Sequence, residues 1–382
     1  MAGWSLVKVA LLSDCYPPRL GGIERQVHDL AHRLAHDGHT VEVFTATAGP
    51  DGERHGARTA EEDGVVVHRL AIRLPAGVPV NPFAPPEVRR RLEAGGFDVA
   101  HAHLGVVSPF ATDLVRTALG VGLPVAATFH CVLGRAVPAV RMGGHLRRWA
   151  GRGVALSAVS EMAAAQVARA AGGADVAVLN NGVDTGWWRA GPTADHDDDR
   201  DGVHVVTAMR LVTRKRPLAL LGALHAARTR LDPAVPLRAT IAGEGPQRRA
   251  MEGYLRARGM DWVTLPGRLD REGLRSLHHS GDLYITAARL EAFGIAALEA
   301  RAAGVPIVAL RGTGVDDIVA HGTDGLLVDG DADLGLAVAG LAADRARLRT
   351  MRDRLRGVPP RQDWGTAVAA TLGEYRRAGA SA

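Results

Sequence analysis

The sequence predicts an α/β fold of two domains, each a doubly wound parallel sheet flanked by helices. Three observations carry this. Strand-length apolar runs alternate with amphipathic, helix-length segments from one end of the chain to the other, the pattern of βαβ units. Alanine, valine, leucine and glycine dominate a chain that is 47% hydrophobic and only 4% aromatic, which suits buried parallel strands under close-packed helices. At 382 residues the chain exceeds what one hydrophobic core usually supports. The expected division is residues 1–190, residues 202–362 and a terminal amphipathic helix within 363–382.

The elements follow in order. Residues 7–12 are a strand, and a loop containing Pro17, Pro18, Gly21 and Gly22 opens a helix over 23–37. That helix sets Val27, Leu30, Ala31 and Leu34 on one face. Gly38 stops it, and 41–45 returns as strand. Further apolar runs at 65–70, 99–103, 125–128, 155–159 and 176–179 complete the first sheet. The second half repeats the logic, with strands at 203–208, 238–242, 262–266, 283–286 and 306–309. Ligands of such sheets bind outside the carboxyl ends of the strands, where the Gly21–Gly22 loop, His103 and His130 fall. No short-period repeat is visible, which excludes a solenoid.

Between the halves, residues 195–201 (DHDDDRD) are too charged to bury and read as a linker. Their Asp-x-Asp pairs would suit a divalent ion only if an apolar strand delivered them into a pocket, and none does. No apolar run reaches membrane-span length. Lys8 interrupts the first apolar stretch, whereas a secretory signal would place its charge ahead of it. Two cysteines, Cys15 and Cys131, cannot build a disulfide framework, so a reducing cytoplasm is expected. The net charge of +5 comes from 46 basic residues of which only Lys8 and Lys215 are lysine. The arginines are scattered among acidic partners without a basic stripe or stacking aromatics, which argues against nucleic-acid binding.

Chemistry concentrates in the second half. Glu291 and Glu299 bracket a small apolar run (EAFGIAALE), so one precedes a helix and the other lies two turns into it. Upstream, Arg210 and Lys215 (RLVTRK) are spaced to share one anionic group. Acceptor-only carboxylates suit sugar hydroxyls, and a guanidinium with an ammonium suits a diphosphate. The combination describes a nucleotide-sugar pocket.

The ordered set of motifs resembles the retaining GT-B glycosyltransferases of family 4 (glycosyl transferases group 1). The matches are GGIE from Gly21, FDVAHAH ending at His103, TFH ending at His130, NGVD from Asn181, RLVTRK from Arg210, GEGP from Gly243, EAFGIAALE from Glu291 and GLLV from Gly325. They span nearly the whole chain. The resemblance implies two Rossmann-like domains facing a central cleft, acceptor on the first and donor on the second, with the terminal helix returning to the first. It implies a catalytic set of His130, Arg210, Lys215 and Glu291. Glu299 would bind the ribose, Glu291 the hydroxyls of the transferred sugar, and the backbone of Phe293, Gly294 and Ile295 the diphosphate at a helix N-terminus. Gly21 and Gly22 would approach the phosphates, and His130 would position the sugar or its leaving group. His103, Arg141, Arg147 and Arg148 are the acceptor-side candidates.

The activity so implied is transfer of a hexose-type sugar from a UDP- or GDP-sugar to a hydroxyl acceptor with retention and without a metal or other cofactor. The acceptor stays open among lipid-linked, inositol-type, polysaccharide and natural-product hydroxyls. Arginines across 132–153 would allow peripheral contact with the inner membrane face; a solvated basic helix is the plainer account. The alternatives are a GT-B-like epimerase or phosphorylase, or an inactive sugar-nucleotide-binding scaffold. The chain departs from the usual pattern at Asn180 (commonly proline), Arg216 (often glycine) and Gly312-Thr313-Gly314 (a contiguous glycine pair).

Overall fold

Alternating side chains on each central strand are buried on both faces, and this sets the layering. In the first strand, Ala10 and Leu12 enter one core while Val7, Val9 and Leu11 enter another, as the two-residue period of a strand requires. The computed structural model describes residues 6–19, 21–50, 55–72, 79–190 and 202–380. They form two units: one of residues 1–182 with 364–382, the other of residues 183–363. Residues 195–201, the expected linker, lie outside the described residues.

The first unit runs β1 (Lys8–Ser13), α1 (Gly22–His36), β2 (Thr40–Thr45), β3 (His55–Glu62), β4 (Val65–Ile72), α2 (Ala84–Gly95), β5 (Val99–Leu104), α3 (Pro109–Gly120), β6 (Val125–Phe129), α4 (Val137–Gly143), α5 (His145–Ala150), β7 (Ala155–Ala158), α6 (Glu161–Ala170) and β8 (Val176–Val178). The strand order is β3-β4-β2-β1-β5-β6-β7-β8. All pairs are parallel except β3 with β4. The purely parallel expectation is corrected there. Asp63 and Gly64, both at positive φ (48° and 81°), turn the chain between paired Glu62 and Val65, as a two-residue hairpin demands. That Asp-Gly was the signal for the missed strand.

The second unit runs α7 (Thr185–Arg189), β9 (Val203–Ala208), α8 (Pro217–Arg228), β10 (Leu237–Ala242), α9 (Arg248–Ala257), β11 (Val263–Gly267), α10 (Arg271–Ser280), β12 (Leu283–Thr286), α11 (Ile295–Ala302), β13 (Ile307–Leu310), β14 (Gly325–Val328), α12 (Asp331–Ala343) and α13 (Arg345–Gly357). Its strand order is β11-β10-β9-β12-β13-β14, all parallel. Helix α7, placed by the sequence reading in the first domain, packs against α11 in the second unit.

The last helix, α14 (Trp364–Arg377), belongs to the first unit. Trp364, Val368, Leu372 and Tyr375 cover the sheet face that carries Val99, Ala126 and Ala155. Without them, three central strands would show that face to water.

Both sheets reverse their winding beside the first strand of the unit, β1 against β5 and β9 against β12. The loops after these strands border the crevice where ligands of such sheets bind. In the second unit a backbone clamp fixes one of them. The amides of Met209 and Leu211 donate to Ala242 and Glu244 carbonyls at 3.0 and 2.9 Å, and the Gln247 amide donates back to Leu211 at 2.9 Å. This approach is possible because Gly243 (φ 137°) and Gly245 (φ 155°) have no side chain; a Cβ on Gly243 would stand 1.8 Å from the Met209 carbonyl oxygen.

Gly243→Ala is therefore expected to lower stability by roughly 2–5 kcal/mol, from strained φ and overpacking together. Gly253→Ala, mid-helix with no atom within 4 Å of its added Cβ, should raise it by about 0.5–1 kcal/mol. Chemical denaturation of the two variants side by side checks both signs.

Candidate active site

Two segments of the second unit meet at the β9/β12 reversal. After β9 the chain passes exposed Arg210 and forms a single helical turn ending at Lys215. After β12 it passes Glu291 and enters α11 at Gly294, whose φ of 96° is a left-handed N-cap. The Lys215 ammonium lies 2.5 Å from the Glu291 carboxylate, with both side chains about four-fifths buried (20% and 17% exposed). An ion pair desolvated to this degree needs close geometry to offset its dehydration, and the 2.5 Å contact supplies it. The Glu291 loop is held by its backbone as well: the Gly314 amide donates to the Glu291 carbonyl at 2.9 Å. A Cβ on Gly314 would stand 2.1 Å from the Ala292 oxygen. In the Gly312-Thr313-Gly314 segment the second glycine stays bare because of this close approach, and the first because of its left-handed φ of 77°.

Glu299 is half-buried in α11 and Phe293 is 2% exposed beneath the loop. The charges of Glu291 and Glu299 both act on a residue the sequence reading passed over, Tyr284 of β12. Burial first, and the charges of Glu291 and Glu299 after it, push its phenol up. The Tyr284 hydroxyl faces the Ala208 carbonyl at 3.5 Å, at the end of β9. Its position in β12, between two short apolar residues, gave no cue beyond strand alternation.

Arg216 explains its own departure from glycine. It holds a left-handed φ of 56°, costly for a side chain with a Cβ. Its guanidinium donates to the Ala287 carbonyl at 3.0 Å and to both oxygens of Asp331 at the start of α12. The fork geometry suits a carboxylate and ties α8, the end of β12 and α12 together.

In the first unit the residues named at strand ends form a polar row under α14. His101 and His103 lie on β5, two apart and on one face; Thr128 and His130 continue the neighbouring strand in the same sense. His101 Nε2 bonds Thr128 Oγ1 at 2.8 Å and His101 Nδ1 bonds the Tyr375 hydroxyl at 3.1 Å. Thr128 in turn bonds Ser157 at 2.8 Å. His103 Nδ1 bonds His130 Nε2 at 3.0 Å. His103, expected on the acceptor side, is 3% exposed and reaches any ligand only through His130. Burial holds these imidazoles neutral: it lowers His130 to about 4 although the Asn181 side chain acts to raise it, and His101 to about 3 with help from His130. Burial also pushes His103 well below the usual histidine range, followed by the His101 and His130 charges.

The Gly21–Gly22 loop opens α1, and the Glu24 carboxylate stands against Gly21 with Arg19 beside it at 3.4 Å. A phosphate arriving there meets a resident carboxylate. Nearby, Asp14 is buried at the end of β1 and accepts from the Phe110 and Ala111 amides at the start of α3 (3.1 and 3.3 Å). Burial outweighs those bonds and raises its carboxyl to about 6. Arg141, Arg147 and Arg148 are exposed on α4 and α5. Beside them lies an open groove of about 730 Å³ lined by Val137, Pro138, Met142 and Gly172. Among the described residues no cluster of three or more metal-ligating side chains occurs, and no helix is long and apolar enough to cross a membrane.

These shifts set an acid response. A buried histidine with a lowered pKa stabilises the fold above its unfolded value near 6.5, and that stability is lost as pH falls towards the folded value. Each contributes a slope of about 1.4 kcal/mol per pH unit. Asp14, raised, acts in the opposite direction between about 3.8 and 6 and offsets one histidine. With His278 of the second unit, which burial also lowers to about 3, four histidines less the Asp14 offset should make stability fall between pH 6.5 and 4 by roughly 4 kcal/mol per unit. His101→Gln should make the fall shallower by about 1.4 kcal/mol per unit, as read by urea unfolding across this range.

Comparison with known proteins fits this geometry. Residues 20–187 match Glycosyltransferase Family 4 and residues 194–356 match Glycosyl transferases group 1. The GDP-mannose-dependent alpha-(1-6)-phosphatidylinositol monomannoside mannosyltransferase of Mycobacterium tuberculosis is 31% identical over 97% of this chain and 98% of its own. The D-inositol 3-phosphate glycosyltransferase of Pseudarthrobacter chlorophenolicus is 28% identical over 94% and 90%. Among solved structures, sucrose-phosphate synthase from Thermosynechococcus elongatus superposes with a TM-score of 0.73 at 19% identity, covering 98% of this chain and all (100%) of that one. Anabaena HepE in complex with UDP and glucose gives 0.71 at 18%, covering 96% and 99%. With both halves matched in order and a full-length relative beyond 30% identity, the chain belongs to the group 1, family 4 glycosyltransferases of GT-B fold.

Proposed function

We propose that this glycosyltransferase moves a hexosyl group, with retention and without a metal, from a UDP- or GDP-sugar to a hydroxyl of an inositol-type or lipid-linked acceptor. GDP-mannose is the first donor to try, because full-length relatives are named as GDP-mannose-dependent mannosyltransferases. One observation carries the reading. The fold brings an ammonium and a carboxylate from loops 76 residues apart to 2.5 Å at the β9/β12 reversal, a cation for a diphosphate beside an acceptor for sugar hydroxyls.

In the reaction so read, the bond from the anomeric carbon to the distal phosphate oxygen breaks and a bond from that carbon to the acceptor oxygen forms on the same face. The acceptor proton passes to the departing phosphate oxygen, so no carboxylate base is required. Lys215 and Arg210 offset the charge that grows on the leaving diphosphate. Glu291 accepts from the sugar hydroxyls and Glu299 from the ribose. The amides of Phe293, Gly294 and Ile295 at the start of α11 face the phosphates. His130, neutral at physiological pH, hydrogen-bonds the sugar or its leaving group.

Saturating GDP or UDP at a hundredfold its dissociation constant should add about 2.7 kcal/mol of stability, equally with and without EDTA, and only one of the two nucleotides should do so. Lys215→Ala should cut turnover about 10²- to 10³-fold in a protein that still folds, with a lowered unfolding midpoint because Glu291 loses its partner. Glu299→Ala should chiefly raise the donor KM. Wild-type rates in both variants would remove these residues from the site, and proton NMR of the product's anomeric signal decides retention.

The exposed arginines beside the apolar groove support a second part of the reading, contact with an anionic lipid surface, where each basic side chain contributes about 1 kcal/mol. Cosedimentation with phosphatidylinositol-containing vesicles should fall more than tenfold in the combined Arg141→Glu, Arg147→Glu, Arg148→Glu variant. Unchanged binding would dismiss this surface.

A further inference from the structure

The His103–His130 bond fixes more than a position. Two neutral imidazoles sharing one hydrogen bond must divide their protons: one ring nitrogen donates and the other accepts. His103 Nδ1 faces His130 Nε2 at 3.0 Å, while the remaining nitrogen of His103, Nε2, is buried and has no hydrogen-bond partner among the described residues. A buried N–H without an acceptor is costlier and rarer than a buried lone pair without a donor. The proton of His103 therefore sits on Nδ1, and His103 donates to His130. His130 Nε2 must accept, so the single proton of the neutral His130 ring sits on Nδ1.

One further observation agrees. His103 is held so that it cannot turn. Its ring lies against His101 with centroids 4.2 Å apart, and His101 is pinned at both nitrogens by Thr128 and by Tyr375 of α14. The terminal helix thus reaches His130 through two imidazoles.

We propose that His103 is a positioning residue that holds His130 as its Nδ1–H tautomer, so that His130 offers the substrate a hydrogen-bond donor and not a base. This rests on the reading above in which His130 touches the sugar or its leaving phosphate. The consequence is chemical. A donor stabilises negative charge as the sugar–phosphate bond breaks; a base would take the acceptor's proton, a task the front-face route gives to phosphate.

The test reads the tautomer directly. Protein labelled with ¹⁵N-histidine, at pH 7.5, is examined by long-range proton–nitrogen correlation NMR, with His130→Gln and His103→Leu used for assignment. The wild type should show His130 as a single Nδ1–H form, and a proton on Nε2 would overturn the proposal in the unaltered protein. His103→Leu should shift His130 towards the Nε2–H form and lower kcat for donor-sugar hydrolysis roughly ten- to a hundredfold. GDP-mannose or UDP-glucose serves as probe, whichever nucleotide raised the midpoint. Donor KM and the nucleotide-induced rise should stay as in wild type. His103→Asn, which keeps an N–H near the Nδ1 position, should recover most of the rate. A folded His103→Leu protein with wild-type kcat would refute the positioning role. His130→Ala at wild-type kcat would instead sink the reading of His130, while the spectrum still decides the His103 bond.

Discussion

Everything in this structure that bears on chemistry depends on where each parallel sheet reverses its winding. A parallel strand sends its chain back over one face or the other, and at the reversal two loops diverge and leave a crevice at the strand ends. In the second unit those loops follow β9 and β12 and carry Arg210, Lys215 and Glu291; in the first they follow β1 and β5 and carry Gly21, Gly22 and the exit from His103. Right-handed crossover connections make this arrangement a property of the backbone path. Side chains then decide what the crevice binds.

The two reversals are electrostatically unlike. In the second unit an ammonium and a carboxylate meet half-shielded from water, where a charge interaction is stronger than at an open surface. A site so prepared favours a ligand that brings both phosphate charge and hydroxyls. In the first unit the row under α14 consists of imidazoles buried deeply enough to stay neutral. They act through hydrogen bonds whose direction is set by their neighbours.

The glycines of the recognised motifs divide by physical role. Gly243, Gly245 and Gly314 are required by backbone contacts closer than any Cβ permits; they hold the loops of Arg210 and Glu291 in place and touch no ligand to do so. Gly294 supplies the left-handed turn into α11. Gly21 differs: its backbone is extended at φ 173°, open to any residue, and what crowds it is the Glu24 carboxylate. The glycines of these motifs thus serve as scaffold in one loop and make room for a carboxylate in another.

The sequence by itself determined the α/β class, the parallel strands of both sheets and most strand and helix positions, because these follow from periodicity and from turn chemistry at short spacing. The Asp63–Gly64 turn was equally local and its hairpin was there to be read. Tertiary structure alone decided the rest. It set the 2.5 Å meeting of Lys215 with Glu291 and the bond of Arg216 to Asp331, 115 residues away. It also assigned α7 to the second unit and buried His103 behind His130. Contacts between residues this far apart depend on how strands are ordered in a sheet, and neither period nor spacing along the chain encodes that order.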